Sequence, residues 1–545
     1  MFRSERTSDG NGRSERPDGG GRSTVYGTKG IVACEHPQAV LAGIRALDAG
    51  GTAADACVAM AAAMAVLAPM TTGPGGDAFL LFYEARTGAV IGADGSGRAP
   101  GSANAGKLRG SGLREMPERG GLSVTVPGSV RLWEDAVKRF GRLSLSDLLE
   151  PARRLAEEGF PVAPVVARYW SVAVDLLRRN EAAARTFLPE GRAPRAGEIF
   201  RIPDLARTLA AVIEGGADAF YGGEPASRIV RSVREAGGLV SEKDLTTHRT
   251  TLPVEPISTE YQSVTVHELP PPGQGIAAVE ILNVLEELDA AGFGPLTAGR
   301  VHHEVEAKKL AFRDLFEKVG DPDFVSAPTE RLASKEYASE LRARIDPERA
   351  SVPSVAPALG DDTTYLCAVD AEGNGCSFIN SVYMGFGSGV VAEGTGVVLQ
   401  NRGHSFRLVP GHPNELAPGK RPLHTLIPGL ITQDGALWAT FGNMGGPMQP
   451  QGHAQVVSNL VDHRMDPQEA VEHPRHFHDH TNDTLLVEGR LPAGEVEKLR
   501  RMGHRVEAGA DYIVPVGGAQ VIKVGKDGVR SAGSDPRKDG CALAQ

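Results

Sequence analysis

The rhythm of apolar and polar residues divides the chain into stretches of different character. The segment "GIVACEHPQAVLAGIRALDAGG" opens with an apolar run and continues with apolar positions three and four apart, which predicts a strand followed by an amphipathic helix. Its closing double glycine is a common helix stop. Residues 53–69, "AADACVAMAAAMAVLAP", are apolar all round except at Asp55, and the run is short for a bilayer, so a buried alanine-rich helix is expected. The loop "TTGPGGDAF" leads into a strand pair, "AFLLFYEARTGAVIGADG". From 145 to 345 helical spacing dominates, in "LSDLLEPARRLAEEG", "IPDLARTLAAVIEGG" and "IAAVEILNVLEELD", with the loop "ELPPPGQG" as punctuation.

At "DPERASVPSVAPALGDD", residues 346–362, helical periodicity is lost and proline and small residues take over, as in an exposed linker. Short strands separated by glycine-rich turns follow: "TYLCAVD", "CSFINSV", "GVVLQN", "ALWATFG" and "AQVIKVG", with one helix at "AQVVSNLVDHRM". The expected organisation is a disordered tail (1–22), a helix-rich part (23–345), the linker (346–362) and a strand-rich part (363–545). No repeat of solenoid period is visible.

Composition narrows the function. A formal charge of −10 argues against a nucleic-acid surface, and 41% apolar with 23% charged residues is ordinary for a soluble globular protein. Five cysteines without a CxxC pair indicate neither a disulfide framework nor a zinc site, and fit a reducing compartment. The polar, glycine-rich N-terminus lacks the apolar centre of a secretory signal. A cytoplasmic protein acting on a small molecule, without cofactor, metal, nucleic acid or membrane, is expected.

The candidate chemistry lies at "GDDTTYLCAVDAEGNGCSFINS", residues 360–381, where two threonines open a hairpin directly after two aspartates. A threonine hydroxyl needs an adjacent base, and its own amino group can serve once the preceding peptide bond is cut. Thr363 stands where an exposed linker meets a strand, so its hydroxyl could attack the Asp362 carbonyl and become an N-terminus. Alternatively, Thr-Thr merely begins a strand, where β-branched residues are favoured.

The surrounding motifs decide between these readings. "GIVACEHPQAVLAGIRALDAGGTAADACVAMAAAMAVLAPMTTGPGGDAFLLFY", "VPGSVRLWEDAVKRFGRLSLSDLLEPARRLAEEGFPV", "PDLARTLAAVIEGGADAFYGG", "PPPGQGIAAVEILNVLE", "TTYLCAVDAEGNGCSFINS", "FGSGVV", "RPLHTLIPG", "MGGPMQPQGH" and "SDPRKDG" occur in order. Together they resemble the gamma-glutamyltransferase family of N-terminal-nucleophile hydrolases. The resemblance implies an α+β fold, a four-layer αββα sandwich, from one precursor cut into large and small subunits. Cutting before Thr363 leaves 362 and 183 residues. It further implies Thr363 as nucleophile, Thr364 as its helper, Ser381 in place of a threonine that bonds the nucleophile, and Gly445 and Gly446 as the oxyanion hole. The two subunits would be partners of one another, with dimerisation of the pair left open.

The glutamyl pocket departs from the family pattern. The position of its carboxylate-gripping arginine falls on Ser96, with Arg98 two places along as a candidate substitute. Its asparagine is Tyr383, its glutamine and aspartate align with Arg402 and Ser405, and its paired serines with His424 and Thr425. Losing an acidic partner and gaining Arg402 disfavours a substrate ammonium and keeps a contact for a carboxylate. The expected substrate is a small acidic amide, gamma-glutamyl or related. The pattern is similar to the oxamate amidohydrolase-like branch and to cephalosporin-acylase-like members, and hydrolysis and transfer share one acyl-enzyme. "HPRHFHDH", residues 473–480, suggests a metal-dependent hydrolase as a rival, but Pro474 argues for a loop without helical ligand spacing. An uncut, catalytically silent member of the fold is the third class.

Overall fold

The computed structural model describes residues 21–288, 292–352, 358–360 and 362–545. Most of the expected tail and residues 353–357 and 361 of the expected linker lie outside the described residues. Two seven-stranded sheets stack face to face. One runs in the order Cys541–Ala544, Ile31–Cys34, Asp362–Val369, Gly375–Tyr383, Asp77–Glu84, Ala89–Asp94, Thr251–Val254. The other runs Val25–Gly27, Arg530–Ser534, Ala519–Val524, Ala436–Asn443, Gly429–Gln433, Val264–Glu268, Ile257–Tyr261. Each sheet thus draws strands from both sides of Thr363.

Strand Asp362–Val369 is buried on both faces, and its side chains divide by the two-residue period. Tyr365, Cys367 and Val369 join Phe79, Ile379, Leu430 and Ile522 in the core between the sheets. Leu366 and Ala368 turn the other way, into a core shared with the outer helices. The helix Ala53–Leu67 fills that core. Thr52 and Asp55 form a reciprocal N-terminal capping box, and all fifteen residues are buried. Alanine suits the position because it adds little bulk between packed layers and has the highest helix propensity. Helices Met448–Val461 and Gly275–Glu287 cover the second sheet, with Ala298–Lys318 behind them. The result is the four-layer αββα sandwich.

The stretch expected to be mainly helical contains the short pair Phe160–Pro161 and Ile199–Phe200, and the strands Thr251–Val254, Ile257–Tyr261 and Val264–Glu268 at or next to sheet edges. The alternation of the last three in "TLPVEPISTEYQSVTVHEL" was overridden by the longer helical periods on either side. Among the described residues no helix is long and apolar enough to cross a membrane.

Candidate active site

Thr363 is buried and sits at an irregularity in the ladder between the two central strands, where the register shifts between Asp362 and Thr364. On the facing strand the Ser381 hydroxyl donates to the carbonyl oxygen of Asp362 at 2.7 Å. Ser381 Oγ itself accepts from the Tyr383 amide at 2.7 Å and from Arg402 Nη2 at 3.2 Å, which fills the one donor and two acceptor sites of a hydroxyl. Ser381 is therefore oriented at the carbonyl immediately before Thr363. Tyr383 holds a φ of 83°, a region that costs a non-glycine residue about 1–3 kcal/mol, and its ring lies 4.7 Å from the Arg402 guanidinium carbon.

Behind Ser381 lies a hub that sequence reasoning missed. Asp77, fully buried on the neighbouring strand and in register with Ser381, accepts from Gly97 N at 2.9 Å and Gln400 Nε2 at 2.8 Å through one oxygen. Its other oxygen takes His424 Nε2 at 3.0 Å and faces Arg402 Nε at 3.3 Å. Burial outweighs these donors and pushes the Asp77 carboxyl up to about 7. The same burial lowers Arg402 to about 10, so it stays protonated near neutrality. His424 is held well below its ordinary value, first by burial and then by Arg402. Because Leu426 N–H donates to its Nδ1, the neutral ring carries its proton on Nε2, toward Asp77. Phe79 stacks on that ring at 4.3 Å.

The only signal for Asp77 was its place in "TTGPGGDAF". Gly76 explains part of that motif, since a Cβ there would lie 2.2 Å from the Ser381 carbonyl oxygen. The glycine lets the two backbones approach.

Arg402 opens the short turn Arg402–Ser405 and is fully buried. Its Nη1 donates to Thr425 Oγ1 at 3.0 Å. Gln274, from the "PPPGQG" loop, donates through Nε2 to the carbonyls of Thr425 (2.6 Å) and Gly446 (2.8 Å), tying this group to the glycine pair. Gly445 and Gly446 have φ of 121° and 53°, conformations open to glycine, between strand Ala436–Asn443 and helix Met448–Val461. Among the described residues neither amide meets an acceptor.

Some predicted residues are placed differently from expectation. Thr364 Oγ1 bonds Thr71 Oγ1 at 2.9 Å, after the helix Ala53–Leu67, because adjacent strand residues face opposite sides. Arg98 turns away to the Gly419 carbonyl (3.1 Å) and Asp323 (3.0 Å), and is 35% exposed in the side chain. The Ser405 hydroxyl donates to the Leu423 carbonyl at 3.0 Å. Arg402 meets Asp77 instead of standing free for a ligand.

Two further residues missed from sequence are Glu35 and Lys538. Glu35 accepts from the Tyr365 amide at 3.1 Å and is pushed up to about 7 by burial, and the buried Lys538 Nζ donates to Tyr169 at 3.0 Å.

The histidine-rich segment contains a strand, His476–Asp479, rather than being all loop. Its imidazoles do not converge: His473 bonds the Pro295 carbonyl, His476 faces Glu304, and His478 lies between Lys308 and Asp483. The side chains of His302, Glu306 and His504 do gather elsewhere. There the two imidazoles bond each other at 2.8 Å and Lys309 Nζ lies 2.9 Å from Glu306, so the donor atoms are already engaged.

A hydroxyl residue at the head of a central strand in an αββα sandwich, with a polar hub behind it, defines the class of N-terminal-nucleophile hydrolases. Relatives are consistent with that class. The chain is 39% identical over 525 residues to the glutathione hydrolase-like YwrD proenzyme of Bacillus subtilis, covering 95% of this chain and 99% of the relative. It is 35% identical over 530 residues to the oxamate amidohydrolase proenzyme of Klebsiella pneumoniae, at 95% and 99% coverage. The crystal structure of cephalosporin acylase from Bacillus halodurans superposes with a TM-score of 0.90 at 40% identity, covering 97% of this chain and 98% of that one. The chain belongs to the gamma-glutamyltranspeptidase family, whose model matches residues 39–545.

Proposed function

We propose that the chain is a self-processing amidohydrolase or acyltransferase that uses Thr363 as its nucleophile. The observation that carries this reading is the Ser381 hydroxyl aimed at the Asp362 carbonyl oxygen at 2.7 Å. Attack of Thr363 Oγ1 on the Asp362 carbonyl carbon breaks the peptide C–N bond and passes the acyl group from nitrogen to oxygen. Ser381, braced by Arg402, stabilises the oxygen as it gains charge. Water then hydrolyses the ester, leaving Asp362 as a carboxylate terminus and Thr363 with a free amine.

In the mature enzyme that amine takes the hydroxyl proton while the oxygen attacks the substrate amide. The amides of Gly445 and Gly446 receive the oxyanion, the amine leaving group takes the proton, and the acyl-enzyme passes to water or a second amine. Proenzyme relatives support the processing step.

For the substrate we propose a small acidic amide whose acyl part lacks a free α-amine. A substrate ammonium needs a carboxylate, and Asp77 beside Arg402 already faces four donors. Ser405, where the family pattern has an acid, is bonded to a backbone carbonyl. The names of the oxamate amidohydrolase and cephalosporin acylase relatives favour the same direction. Intact mass with N-terminal sequencing tests the processing, the expected smaller chain beginning Thr363-Thr364-Tyr365. A fast gamma-glutamyl anilide hydrolysis with no turnover of simpler acidic amides would reverse the substrate assignment.

A further inference from the structure

On the far side of the Arg402–Ser405 turn lies a cavity of about 230 Å³. Ser405 and Leu423 line it, and these residues also flank the hub, since Ser405 closes the turn that Arg402 opens and Leu423 precedes His424 and Thr425. Phe312, Phe316 and Phe406 supply an aromatic lining, with His480 tilted against the first two at 5.5 and 5.3 Å.

The charges in the lining differ in how they are met. Lys309 is paired with Glu306 at 2.9 Å and Arg313 with Asp314 at 3.0 Å. Lys308 is held by the His478 ring and carbonyl, 4.1 Å from the Phe312 centroid, and burial lowers it well below its ordinary value. By contrast, among the described residues the guanidiniums of the exposed Arg114 and the half-buried Arg407 meet neither a carboxylate within 4 Å nor another acceptor. Glu115 and Glu317 also reach the cavity, both exposed.

We propose that this cavity is a binding subsite for an aromatic carboxylate, the ring against Phe312, Phe316 and Phe406 and the acid on Arg114 and Arg407. Planar guanidinium forks match a carboxylate with two parallel hydrogen bonds and also stack on rings. Three aromatic faces reward a flat apolar body over an aliphatic one. The subsite is separate from the Thr363 hub, since none of Thr363, Gly445 and Gly446 lines the cavity.

The test is calorimetric binding of 3-phenylpropionate, 3-phenylpropionamide and propionate to the purified full-length protein. The expected result is binding of the aromatic acid at least tenfold tighter than of either comparator. Arg114→Gln combined with Arg407→Gln should remove the preference over the amide, and Phe316→Ala the preference over propionate, each with an unchanged thermal midpoint. Equal binding of all three ligands, or full discrimination in folded variants, overturns the subsite. Discrimination in a protein that proves to be one uncut chain upholds the binding site and overturns the hydrolase reading, so the two fail separately.

Discussion

Two regions of this molecule are dense in ionisable groups, and they behave oppositely. The segment 473–480 concentrates four histidines within eight residues, yet the structure hands each to a different neighbour. The region behind Thr363 has no such density in sequence. Asp77, Ser381, Arg402 and His424 come from four separate stretches and are joined by contacts that end on a single carbonyl oxygen. Chemistry needs convergence, and spacing along the chain measures it poorly.

The contrast can be broken most forcefully at Thr363. Thr363→Ala should leave one chain of 57.4 kDa on a denaturing gel and reduce amide hydrolysis by at least about 10³-fold. Ser381→Ala removes one oriented donor and should slow processing by roughly 10²-fold, with Ser381→Thr restoring most of the rate in a time course of band conversion. Arg402→Leu strands Asp77 and should cost about 3 kcal/mol in denaturant unfolding at pH 8.

The pH dependence of that loss sharpens the comparison. Asp77 has a folded value, about 7, above its unfolded one, so its neutral form favours the fold. Its contribution is fully present below the unfolded value and disappears as pH rises through about 7. The penalty of Arg402→Leu should accordingly shrink at pH 5.5.

His478→Gln should leave processing unchanged and cost about 1–3 kcal/mol through the lost Lys308 and Asp483 contacts, read from thermal unfolding. The smallest effect belongs to Arg98→Ala, an exposed ion pair worth less than about 1 kcal/mol, with no change in cleavage.

Much of the fold was legible because helices and strands announce themselves through nearby residues. The capped helix Ala53–Leu67 and the hairpin after Asp362 both follow from local pattern. Partnership across the chain was not legible. Ile31–Cys34 pairs with Asp362–Val369, and Asp77 meets Arg402 across more than three hundred residues, distances on which periodicity is silent. Arg98 illustrates the limit: its position beside the pocket motif was readable, but its orientation depends on Asp321 and Asp323, far along the chain. Thr364 was legible as a hydroxyl and illegible as the partner of Thr71.

The mixed parentage of the sheets has a practical consequence. Strand Asp362–Val369 is flanked by Ile31–Cys34 and Gly375–Tyr383, and the second sheet places Val25–Gly27 at one edge and Val264–Glu268 with Ile257–Tyr261 at the other of a block drawn from after residue 363. Severing the backbone before Thr363 touches only the end pair Asp362–Tyr383 and leaves the other rungs of both ladders in place. The two pieces would stay laced together, elute as one species under native conditions, and part only when the sheets themselves are melted.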